Sequence, residues 1–139
     1  MSGPRIVFSD GYKYQLREDY CIDIEIAPPT PIQTPYIDLS IAGHLTIRAG
    51  YAWDGPSGPT FDTPSFMRGS LVHDALYQLL REGHLDRAQH RGDADRILRR
   101  LCLEDGMTQV RAWWVYQGVR KFGLASALPS ATRPPRFAP

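Results

Sequence analysis

Cysteine is scarce in this chain. Only Cys21 and Cys102 occur among 139 residues, which excludes a disulfide framework, and their spacing matches no metal-ligand pattern. Long hydrophobic runs are missing too. No apolar stretch approaches the roughly 20 residues needed to cross a bilayer. The opening residues, MSGPRIVFSDGYKY, hold no apolar h-region, so no signal peptide is expected. Lysine is almost absent: of sixteen basic residues only Lys13 and Lys121 are lysine. These absences exclude a helical membrane protein and a disulfide-stapled miniprotein, while a hydrophobic content of 42% excludes a wholly disordered chain. The length suits one domain with its own core. We expect that domain over residues 1–128, followed by a Pro-rich tail, residues 129–139, that reads as disordered.

The charge is divided unevenly. Residues 1–64 hold four basic and eight acidic side chains, whereas residues 65–139 hold twelve and seven, which recovers the net +1. An Arg-rich half suits either phosphate contact or a solvated helix surface. No recognised nucleic-acid module accompanies it, so no nucleic-acid partner is expected.

The two halves also differ in period. Tyr20, Ile22, Ile24 and Ile26 alternate with Cys21, Asp23 and Glu25, as in a half-buried strand. Ile37, Leu39 and Ile41 alternate again after the connector Ala27–Pro35, whose prolines bar it from a central strand. Gly43 turns the chain into His44–Arg48, and Lys13–Leu16 adds a further strand. Three or four short antiparallel strands are therefore expected. From about Ser65 the spacing becomes helical. Val72, Leu76, Leu79 and Leu80 form a stripe on a helix over Ser65–Arg81. Ile97, Leu98, Leu101 and Cys102 mark a second helix after Gly92, ending at Gly106. Thr108 reads as the N-cap of a third, Gln109–Phe122, stopped by Gly123. Val110, Trp113, Trp114, Val115, Tyr116 and Val119 on that helix read as core. His44, His84 and His90 read as scattered surface residues. Strands followed by helices, the first two forming an antiparallel hairpin, predict an α+β fold.

The chemistry-bearing residues gather between residues 51 and 95. A Gly/Pro loop, Asp54-Gly55-Pro56-Ser57-Gly58-Pro59, leads into a helix carrying His73, Asp74 and Tyr77. His73 and Tyr77 are four apart and share a face, while Asp74 lies about 100° round. A His-Asp pair amid leucines needs partners to offset its desolvation. Gly92-Asp93-Ala94-Asp95, read as opening the next helix, would bring Asp95 or Asp93 beside His73. An imidazole held by a carboxylate presents its other nitrogen to water as a general base. Asp74 with loop carbonyls would offer hard oxygen ligands to Ca²⁺, and Asp54 would add a second carboxylate. These residues suit ester hydrolysis by activated water. They suit equally a hydrogen-bonded network that fixes helix packing without chemistry.

The order of motifs resembles a family of uncharacterised phage and prophage proteins. The residues that carry the likeness are Asp54–Pro59, His73-Asp74-Ala75-Leu76-Tyr77, Ala94-Asp95 and Val119-Arg120-Lys121-Phe122-Gly123, across roughly residues 10–123. That likeness implies a phage origin and a place in the host cytoplasm or the virion. More distantly, the chain resembles phospholipase A2, above all the cysteine-free domain of parvovirus capsid proteins. This second resemblance implies His73 as general base, Asp95 as the carboxylate that orients it, and Tyr77 hydrogen-bonded to Asp95. It implies Ca²⁺ held by Asp74 with oxygens from Trp53, Gly55 and Ser57, and a phospholipid or host-envelope substrate. The chain departs from that pattern in Pro56 and Pro59, in Asp54 within the loop, and in its strand-rich first half. The non-enzymatic alternative is a phage accessory protein that contacts other virion proteins.

Overall fold

A computed structural model of the protein describes residues 8–9, 14–53, 64–123 and 127–128. Among them, antiparallel strands precede three helices, the α+β order expected from the change of period. The residues group into two compact units, one holding the strands and one the helices.

In the strand unit, β1 (Phe8–Ser9), β2 (Tyr14–Leu16) and β7 (Ala52–Trp53) form one sheet in the order β1-β2-β7. β3 (Tyr20–Asp23), β4 (Ile32–Gln33), β5 (Ile37–Leu39) and β6 (His44–Ile47) form a second in the order β3-β6-β5-β4. The four longer strands are those the alternation identified; β1, β4 and β7 are two-residue additions. Register explains the core. Ile22 pairs with Leu45, Leu45 with Leu39 and Leu39 with Ile32, so one row of buried aliphatics crosses all four strands. Tyr20, Ile47 and Ile37 form the next buried row. The opposite face carries Cys21, Thr46, Asp38 and Gln33, and there Arg48 pairs with Asp38. A period of two places all the apolar side chains on one face.

Ile41 departs from its expected place. It is 58% exposed in a turn after β5, because Ser40 and Gly43 close a tight hairpin there. Gly43 has φ +87° and a Cβ there would lie 2.5 Å from the Ile24 carbonyl oxygen, so glycine is required. β4 lies inside the Pro-rich connector, and it occupies the sheet edge, where proline is tolerated.

In the helical unit, α1 spans Pro64–Arg81, α2 Arg87–Glu104 and α3 Gln109–Phe122. Arg68, early in α1, meets Glu104 at the end of α2, whereas Tyr77, late in α1, meets Asp95 nearer the start of α2, so the pair is antiparallel. Close approach is made possible by Gly69, where a Cβ would sit 3.0 Å from Leu98 Cδ1 and 3.1 Å from Cys102 Sγ. Phe66, Leu98, Cys102, Met107 and Ala112 form a buried cluster against which Val115 and Val119 pack. Both cysteines are free thiols, and burial pushes that of Cys102 up to about 12. Among the described residues, no helix is long and apolar enough to cross a membrane.

Three expectations are corrected in this unit. α2 begins at Arg87 rather than after Gly92, because Asp86 caps it by accepting the Gln89 N–H at 2.8 Å. Asp93 and Asp95 therefore lie inside the helix. His90 is buried on α2, 3.2 Å from Asp93, rather than on the surface. Trp113 and Trp114 are 43% and 66% exposed and stack edge to face, and Val110 is exposed with them. Ala112, Val115 and Val119 already supply the inward face of α3.

Candidate functional site

Three helices converge on one carboxylate. His73 and Tyr77 lie one turn apart on α1, so both rings reach the same side, with centroids 4.1 Å apart. Asp95, in the third turn of α2, is fully buried. Its Oδ1 stands 2.8 Å from His73 Nε2 and accepts the Tyr77 hydroxyl at 2.6 Å. Its Oδ2 accepts Arg120 of α3 at 3.0 Å and lies 3.7 Å from Arg91, one turn earlier on α2. Arg91 also reaches back to the carbonyls of Val119 and Arg120 at the end of α3, at 3.4 and 3.5 Å. Lone carbonyls at a helix end attract such a cation.

Burial alone would raise the pKa of Asp95. The hydrogen bonds from His73, Tyr77 and Arg120 outweigh it and hold the carboxyl below the usual range, so the carboxylate is the resident form. Tyr77 is shifted the other way. Burial, and then the neighbouring Asp95 charge it bonds to, keep its phenol protonated far above the ordinary range. Space beside the phenol is tight: at Gly123, just after α3, a Cβ would lie 2.7 Å from the Tyr77 hydroxyl.

His73 itself is nearly buried, with 11% of its side chain exposed. Its Nε2 is engaged, and among the described residues its Nδ1 has no hydrogen-bond partner. An imidazole so held can take a proton at Nδ1 while Asp95 stabilises the resulting cation.

Of the two candidate partners of His73, the structure selects Asp95. Asp93 turns to His90 and Arg96 instead. Asp74 is half-buried on α1, beside His73 in sequence. Trp53 lies on β7 in the strand unit and is buried. Asp54, Gly55 and Ser57 lie outside the described residues. No group of three or more His, Cys, Asp or Glu able to hold a metal occurs among the described residues. Asp74 is a hard donor of the kind Ca²⁺ takes, but one carboxylate is not a site.

Sequence reasoning missed Arg91 and Arg120 as partners of Asp95. Arg91 carried a legible signal, four residues before Asp95 on the same helix face. Arg120 did not, since its reach depends on where α3 lies.

The molecule is thus an α+β protein whose helical unit is organised around a buried histidine–carboxylate network. A family profile described as a protein of unknown function (DUF1353) matches residues 33–119. The chain belongs to that family. The matched span includes His73, Tyr77, Asp74, Arg91 and Asp95. No curated protein and no solved structure matches the chain.

Proposed function

We propose that the helical unit is a hydrolase site in which His73 Nδ1 activates water for attack on an ester. The observation that carries this reading is the division of labour on the imidazole: Nε2 is fixed by a buried carboxylate, and Nδ1 has no partner among the described residues. Asp95 acts as the positioning residue, Tyr77 and Arg120 keep it ionised and in place, and the ring of Tyr77 packs against that of His73. Attack at a carbonyl would form one carbon–oxygen bond, pass the water proton to His73, and return it to the departing alkoxide. The resemblance to phospholipase A2 supports Asp74, next along α1, as a carboxylate for Ca²⁺, an ion that would polarise the ester carbonyl. The resemblance to phospholipase A2 supports a phospholipid substrate, and the resemblance to phage proteins supports action on a host envelope from the host cytoplasm or a virion.

The experiment compares wild type with His73→Ala on phospholipid vesicles in Ca²⁺ and in chelator. Calcium-dependent fatty-acid release by the wild type, lost in the variant, is expected. No release by the wild type, with a melting temperature indifferent to Ca²⁺, overturns the reading.

One observation favours a second reading. Asp95 accepts from residues of α1 and α3 while sitting fully buried on α2, so the network also ties three helices together. In a phage accessory protein that docks on other virion proteins, that fastening would be its whole role. A large loss of stability in His73→Ala, without any hydrolysis in the wild type, selects this reading.

A further inference from the structure

On the far side of Asp95 from His73 lies an open cleft of about 650 Å³. It is formed by the connection between α1 and α2, the start of α2 and the end of α3, and Arg87, Arg91 and Arg120 all line it. That volume falls in the range of small-ligand sites, roughly 300–1,000 Å³. We propose that this cleft is an oxyanion site for a phosphate ester.

Charge supports this assignment. Three guanidinium groups face one lining carboxylate, Asp86, and that carboxylate is already engaged in capping α2. Arg87 makes no ion pair among the described residues and is half-exposed, so its donors are available. Arg91 and Arg120 are pre-oriented, the first by carbonyls at the end of α3 and the second by Asp95. Pre-orientation lowers the entropy lost when a fork of N–H donors meets a phosphoryl group. The two glycines that line the cleft keep it open. A Cβ at Gly92 would stand 3.4 Å from Nη1 of Arg120 and of Arg96, and Gly83, with φ +81°, has nothing within 4 Å.

Asp95 holds two of the three guanidinium groups from behind. His73 and Tyr77 hold Oδ1, whereas Arg120 and Arg91 approach Oδ2. An anion in the cleft competes with Oδ2 for the same guanidinium groups. Anion binding in the cleft does not depend on the proposed hydrolase reading.

Inorganic phosphate, titrated into the full chain at constant ionic strength and followed by calorimetry, tests binding directly. Saturable binding is expected, weakened about tenfold by Arg87→Gln, the loss of one charge-assisted contact. Arg100→Gln, on α2 but outside the cleft and paired with Glu104, is expected to bind as wild type does. Absence of saturation, or equal weakening by the two variants, overturns the proposal. Vesicles of phosphatidic acid and of phosphatidylcholine then distinguish the source. If phosphatidic acid vesicles displace phosphate in wild type but not in Arg87→Gln, the ligand is a lipid headgroup; if neither vesicle competes, it is a soluble phosphate ester. Retained phosphate binding in a chain that hydrolyses no ester overturns the hydrolase reading alone.

Discussion

The hydroxyl of Tyr77 and the Nε2 of His73 meet at a single oxygen of Asp95, 2.6 and 2.8 Å away. One turn of α1 separates the two side chains, so any change in one alters the charge felt by the other.

Removing the phenol oxygen should therefore weaken the network without emptying it. Tyr77→Phe is expected to cost about 1.5–3 kcal/mol, the range for a hydrogen bond to a charged group, measured by urea unfolding at pH 7. It should also change the alkaline limb. The native state keeps the Tyr77 proton that the unfolded chain releases near pH 10, so the unfolded state binds fewer protons and stability falls as pH rises above about 10. The variant lacks that contribution, and its stability should fall less steeply between pH 10 and 11.

Asp95 governs the acid limb. Its native carboxyl lies below the unfolded value, so its contribution is complete above about pH 4 and disappears as pH falls through the native value. Asp95→Ala leaves Arg91 and Arg120 without their shared counter-charge and is expected to cost about 3–5 kcal/mol. Thermal melts from pH 2 to 7 should show a shallower acid slope in the variant. An unchanged slope would mean that the carboxylate contributes nothing to stability.

Gly69→Ala sets two effects in opposition. Helix propensity favours alanine by about 1 kcal/mol. The new methyl would press on Leu98 and Cys102, both essentially buried and unable to retreat. Overpacking of about 1–3 kcal/mol should prevail, and denaturant midpoints should fall. A raised midpoint would show that the α1–α2 spacing is slack.

Arg68 is buried and forks onto Asp105 at 3.0 Å by two nitrogens, reaching Glu104 at 2.9 Å with one of them. Lysine offers a point charge and no fork. Arg68→Lys is expected to cost about 1–3 kcal/mol, read as a lowered melting temperature, because Arg68 joins the start of α1 to the end of α2.

Much of this was legible in the sequence for simple reasons. Period-two alternation at Tyr20–Ile26 and helical spacing at Val72, Leu76, Leu79 and Leu80 report burial directly, and all eight aliphatic and Tyr positions in these runs are buried. His73 and Tyr77 shared a face by arithmetic. Asp95 needed only an antiparallel hairpin to reach them. The misreadings had local causes. Asp86 resembles an ordinary surface acid, yet it starts α2 five residues before Gly92 and thereby buries His90. Trp113 and Trp114 follow the hydrophobic rule for core, but Ala112, Val115 and Val119 fill that role. Arg120 reaches Asp95 only through the path of α3, which no short window of sequence contains.

The four-stranded sheet has a further consequence at its rims. One edge is β4, two residues long and flanked by Pro31 and Pro35, and the other is β3, which ends in the exposed Asp23. A long bare edge templates the addition of a foreign strand, and brevity, proline and charge all oppose it. The connector thus supplies an edge that resists the pairing of a second strand, and replacing Pro31 and Pro35 is expected to raise the tendency to associate, read by light scattering.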